Sequence, residues 1–155
     1  MTFQIHALPV EAFEDLFSLS DAELSTRNIH RVHVDKKPGA PCRVSLADAD
    51  VGETVLLLNF QHQPADSPYQ SSHAIYVREG AVAAEPAKDD VPEMIRSRLI
   101  SMRIFDADDM IVAADVIEGA ALAEALETAF KDDRAAYGHL HFAQRGCFAA
   151  KVTRA

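Results

Sequence analysis

The chain has 155 residues, 48% of them apolar, and sets 24 acidic side chains against 15 Lys and Arg for a formal charge of −9. That length fits a single domain, residues 1–155, that can bury a core without disulfides or a structural metal. The acidic balance repels phosphate backbones and anionic lipid, so no nucleic-acid and no membrane partner is expected, and no run approaches the ~20 apolar residues of a membrane helix.

Phe3 to Ala7 reads as a short strand. Pro9 then opens a helix in which Val10, Phe13, Leu16 and Phe17 recur at helical spacing. Ser20-Asp21-Ala22-Glu23 has the capping-box form and starts a second short helix. Ile29 to Val34 is a strand, Lys36 to Pro41 a Pro/Gly loop, and Cys42 to Leu46 resumes extended structure. Thr54 to Gln63 gives the strongest strand signal, with Leu56, Leu58 and Phe60 on one face and Asn59 and Gln61 on the other. Pro64 to Ser72 is a loop, His73 to Glu79 a strand, and Gly80 to Asp90 a surface segment without a period.

Pro92 opens a short helix through Arg96. Leu99 to Phe105 alternates cleanly, and Met110 to Ile117 reads as a buried-type strand paired with it. Gly119 to Lys131 is the best helix, with Leu122, Leu126 and Phe130 as its apolar stripe. Tyr137 to Ala143 and Cys147 to Thr153 form a C-terminal β-hairpin around Gln144-Arg145-Gly146. Strands in consecutive runs with few helices predict an α+β fold, a mostly antiparallel sheet with helices packed on it.

Met1 to His6 lacks the basic and apolar segments of a secretory signal. Together with only two cysteines, Cys42 and Cys147, this points to the cytoplasm, with both thiols reduced.

The last hairpin carries the one constellation with chemistry in it. A three-residue loop puts Gly146 at a left-handed position and pairs Phe142 with Phe148. One face then holds Leu140, Phe142, Phe148, Ala150 and Val152, and the other His139, His141, Ala143, Cys147, Ala149 and Lys151. In that register Cys147 is the diagonal neighbour of His141, roughly 7–8 Å away between backbones. A thiol and an imidazole on one face can serve as nucleophile and base. The competing reading is a half-solvated sheet face with a small buried thiol.

Cys42 and Arg43 are added as ligand-binding candidates, because an adjacent guanidinium favours the thiolate. Arg96, Arg98 and Arg103 form a basic patch suited either to an anion or to surface carboxylates. Asn59, Gln61, His62 and Gln63 either line a cleft or mark the strand leaving the core. Two histidines and a cysteine are potential zinc ligands, but no C-x-x-C, H-E-x-x-H or third spaced ligand accompanies them, so no metal is assigned. No Gly-rich phosphate loop, G-x-S-x-G elbow or dinucleotide fingerprint occurs, so no cofactor is assigned.

The segments Pro41 to Leu46, Gly52 to Leu58, Ser67-Pro68-Tyr69, Ile75 to Glu79, His139 to Ala143 and Gly146-Cys147-Phe148 together resemble a bacterial family of small uncharacterised proteins. The resemblance spans most of the chain and implies no activity. The function expected from the residues is a small-molecule binding or enzymatic domain whose cleft gathers His139, His141, Cys147, Cys42 and Arg43. The alternative is a non-catalytic interaction protein, a homo-oligomer formed through the sheet.

Overall fold

The computed structural model describes residues 2–155 and contains two five-stranded sheets. The first takes β1 (Phe3–His6), β7 (Leu99–Phe105), β8 (Ile111–Glu118), β9 (Tyr137–Phe142) and β10 (Phe148–Arg154) in the order β1-β10-β9-β7-β8, antiparallel throughout. The second takes β2 (His30–His33), β3 (Pro41–Cys42), β4 (Ala47–Asp48), β5 (Thr54–Gln63) and β6 (Ser71–Arg78) in the order β2-β5-β6-β3-β4. It is antiparallel except where Cys42 meets Tyr76 in a short parallel contact between β3 and β6. The α+β expectation therefore holds, with the strands divided between two sheets.

Of the three α-helices among the described residues, α1 (Asp21–Thr26), α2 (Glu93–Arg96) and α3 (Leu122–Ala129), α3 packs on the first sheet as its stripe predicts. Leu122, Leu126 and Phe130 are fully buried in one cluster with Ile100, Met102, Ile104, Leu140 and Val152. The capping box at the start of α1 (Asp21–Thr26) forms in both directions. The Ser20 hydroxyl accepts from the Glu23 amide at 3.1 Å, and the Glu23 carboxylate accepts from the Ser20 amide at 2.7 Å. Leu24 of α1 is thereby seated in the second core with Leu56, Ile75 and Val77.

Four elements differ from the sequence reading. The helix expected after Pro9 is two 3₁₀ turns, Val10–Ala12 and Glu14–Ser18, with neither capped by a side chain. Short uncapped segments favour the tighter turn. The best helix begins at Leu122 rather than Gly119, because Gly119–Ala121 forms a 3₁₀ turn. β8 is not a buried strand; it is the outer strand of its sheet, and its Val116 is 56% exposed. An apolar run at a sheet edge buries only one side of itself. The extended run expected over Cys42 to Leu46 stops at Cys42, and residues 43 to 46 turn back to β4, with Leu46 at φ +51°. This turn carries Arg43 out of the second sheet toward the end of the C-terminal hairpin.

No helix among the described residues is long and apolar enough to cross a membrane.

Candidate functional site

The hairpin β9–β10 decides which side chains meet. Its loop is one residue longer than predicted. Phe142 pairs directly with Cys147, its amide donating to the Cys147 carbonyl at 2.9 Å, while the Gly146 amide donates to the Phe142 carbonyl at 2.7 Å. Gly146 takes φ +80°, the left-handed position anticipated for it. His141 then pairs with Phe148, and a bulge between Phe148 and Ala150 restores the expected pairing of Leu140 with Ala150 and His139 with Lys151. A bulge adds one residue to one strand and so reverses the faces on either side of it. Cys147 consequently joins Phe142, and Phe148 joins the histidines, the reverse of the predicted assignment. His141 and Cys147 therefore belong to two neighbouring clusters.

The first cluster is a cleft of about 920 Å³ between the two sheets. Arg43 lies at its base, 1% exposed, and spans from the second sheet to the hairpin. Its Nε donates to the Phe148 carbonyl at 2.8 Å, its Nη1 to the Pro41 carbonyl, and its Nη2 to Cys147 Sγ at 3.2 Å. The guanidinium also sits 5.0 Å from the centroid of the Phe142 ring, within cation–π range. No carboxylate pairs with it among the described residues. Burial pulls the guanidinium below the usual arginine range, and the Cys147 sulfur beside it pulls the other way.

Lys36, His73, Arg98 and Arg145 line the same cleft, with Glu118 as its acidic group. Arg98 is neutralised by a two-pronged contact with Asp48 at 2.6 and 2.8 Å, and its guanidinium lies 5.1 Å from the same Phe142 ring. Lys36 and Arg145 make no ion pair among the described residues. Cys147 faces this space with 8% of its surface. Cys42 does not: it is fully buried, and its sulfur accepts the amides of Ser45 at 3.4 Å and Arg78 at 3.2 Å.

The second cluster holds the other two candidates. His139 and His141 meet His62, which β5 of the opposite sheet delivers, and one ring nitrogen from each lies within 4.8 Å of the others. Phe148 stacks on His62 at 5.1 Å and meets His139 and His141 edge-on at 5.3 and 5.9 Å. Burial is the first cause that depresses all three imidazoles, His62 to about 4 and His139 and His141 to about 3, so they are neutral at physiological pH. His141 donates from Nδ1 to the Gly146 carbonyl at 2.9 Å, since a carbonyl only accepts. That fixes its tautomer and leaves a lone pair on Nε2.

Of the sequence candidates, the structure thus brings Arg43 and Cys147 together, and separately His139 and His141, while Cys42 stays in the core of the second sheet. Missed were His62 as a companion of His139 and His141, and Lys36, His73 and Arg145 as cleft residues. Alternation gave no signal for His62, because the β5–β6 register shifts between Phe60 and Gln63 and buries His62 and Gln63 in succession. The arginine patch divides three ways. Arg96 pairs with Asp90 and Glu93, Arg98 pairs with Asp48, and Arg103 lies across from His139 in the β7–β9 register.

A two-sheet α+β domain with a basic cleft beside a buried histidine cluster is thus the class that fold and site define. The chain belongs to the family described as Protein of unknown function (DUF1203), which matches residues 39–154. That span covers the histidine cluster and the charged residues of the cleft apart from Lys36, and it leaves out β1, the two 3₁₀ turns before α1, α1 and β2. No curated protein and no solved structure matches the chain.

Proposed function

We propose that this protein binds a small anionic molecule in the cleft between its sheets, with Cys147 as the group placed to react with it. The observation that carries the reading is one of charge. In a chain of net charge −9, four cations converge on one cleft, and only Arg98 has a carboxylate partner. A guanidinium buried without a counter-ion is costly, and an anion in the cleft offsets that cost. Arg145 supplies a planar donor fork that suits a carboxylate or phosphate, and Arg43 adds its charge from the base of the cleft. Arg43 also donates to the Cys147 sulfur at 3.2 Å, which holds the thiol at the base of the cleft.

The test uses two alkylating agents that differ in charge. Iodoacetate and iodoacetamide attack the same sulfur, but only the first is an anion. In the native chain Cys147 should react with iodoacetate several-fold faster, relative to iodoacetamide, than the same cysteine does in urea. High salt should abolish the preference, and Arg145→Ala should reduce it, because Arg145 is exposed and its loss leaves the fold intact. Site-resolved mass spectrometry reads both cysteines, with Cys42 as the buried control. An inert Cys147, or an unchanged reagent ratio, overturns the reading.

A further inference from the structure

His62, His139 and His141 are not part of the cleft chemistry, and packing alone does not account for them. An imidazole moved out of water keeps its cost low only if its nitrogens find partners. Among the described residues, only two of the six ring nitrogens do: His141 Nδ1 on the Gly146 carbonyl, and His62 Nε2 with the Ser71 hydroxyl at 3.0 Å. His62 Nδ1 is buried with no hydrogen-bond partner. Three nitrogens drawn from two different sheets converge on one point, and neutral imidazole is the form that ligates metals.

We infer that His62, His139 and His141 form a binding site for a divalent transition-metal ion, held by three imidazoles with one coordination position left open. The geometry needs only a small closure. An ion bound at about 2.0–2.1 Å in a tetrahedral site holds its nitrogens about 3.3–3.4 Å apart, against a span of up to 4.8 Å here. The hydrogen bonds are of the kind that orient metal-bound histidines: His141 Nδ1–H donates to the Gly146 carbonyl, and His62 Nε2–H can donate to the Ser71 hydroxyl. Three nitrogens and no carboxylate suit zinc first, and also iron, copper or nickel, rather than calcium or magnesium.

Arg103 and Lys151 both stand opposite His139, one in each neighbouring strand. Their charge weakens the site for a bare dication and favours an anion, such as hydroxide or a carboxylate, in the fourth position. The site is distinct from the cleft, and its test shares no readout with the reagent comparison there.

The intact chain is stripped with chelator, dialysed against Zn²⁺ or Co²⁺, and analysed for bound metal. One equivalent should be retained, and the Co²⁺ form should show the visible absorption of a four-coordinate ion. X-ray absorption of the Zn²⁺ form should show imidazole nitrogen around the metal and no sulfur. His62→Gln and His139→Ala should each weaken binding by about 100-fold or more, while His30→Ala, on the exposed side of β2, should leave it unchanged. Loss of retention by the folded, unaltered chain overturns the inference. So does a sulfur neighbour at the metal, or equal affinity in the ligand variants. Should a variant fail to fold, the absorption spectrum of the unaltered chain decides alone.

Discussion

The cleft at Arg43 and the pocket of three histidines lie on either side of one turn, yet they are electrostatic opposites. The cleft is open, charged and short of anions. The histidine pocket is buried and neutral, with Arg103 and Lys151 across from His139. Both draw partners from the hairpin and from the opposite sheet, so neither exists until the two sheets pack. Their separation comes from backbone geometry: Cys147 and Phe148 are consecutive, and extended neighbours point to opposite faces. The bulge at Ala149 allows both to be useful, because it lets the rest of β10 keep its apolar residues inward.

The largest effect should come from the residue that ties the cleft together. Arg43→Ala leaves the Pro41 and Phe148 carbonyls without donors and opens a cavity beside Phe142. Orphaned buried acceptors and a cavity of this kind together cost about 3–5 kcal/mol. A urea titration of wild type and variant measures it. A loss below about 1 kcal/mol would show that water replaces the guanidinium freely, and the contrast between a built cleft and a solvated surface would collapse.

The next prediction concerns pH and separates the two regions. In the metal-free chain the three histidines have folded pKa values of about 4, 3 and 3, against an ordinary 6.5. Arg103 presses on all three of them, Lys151 on His139, and His73 on His62. A depressed folded pKa means that the unfolded chain binds more protons below 6.5. The associated stability is therefore complete above pH 6.5 and is lost progressively as pH falls from there to the folded values near 3–4. At pH 5.5 each histidine should remove about 1.4 kcal/mol. Denaturant midpoints taken from pH 7.5 to 5 should fall steeply, and His139→Gln should flatten the slope. Arg145→Ala, on the cleft side, should leave the slope alone. A flat profile in wild type would mean that the histidines are hydrated, and the two regions would differ less than their burial indicates.

How much of this was legible in the sequence follows from the range of the interactions. Alternation and capping are local, so β5, β7, the box at Ser20 and the stripe of α3 were readable. The left-handed glycine at 146 was readable as well, because its signal lies within the turn. The faces of Cys147 and Phe148 were not, because a loop one residue longer and a compensating bulge leave nearly the same apolar pattern along most of the hairpin. The partnership of His62 with His139 and His141 was beyond reach for a different reason. It joins strands about eighty residues apart in chain order, and a set of ligands gathered from two sheets leaves no spacing motif. Lys36 and Arg145 sit in loops, where a cation looks the same whether it faces a cleft or open water.

The smallest expected effect tests whether the turn is a shared mount. Gly146 has φ +80°, and a Cβ placed on it would meet nothing nearer than His73 Nε2 at 4.0 Å. Alanine there is therefore strained by its backbone and not by its neighbours, at a cost of about 1 kcal/mol. The same residue fixes both regions, since its amide closes the turn onto Phe142 and its carbonyl orients His141. If the turn is the common mount, Gly146→Ala should lower stability by that amount in urea. It should also shift two other readouts together: the iodoacetate preference at Cys147 and the retention of Co²⁺. A change in one without the other would show that each side is held by its own sheet, Cys147 by Arg43 and His141 by His62, with the turn as a passive link. A loss of 3 kcal/mol or more would instead show that alanine cannot hold the left-handed position and that the whole hairpin end rearranges.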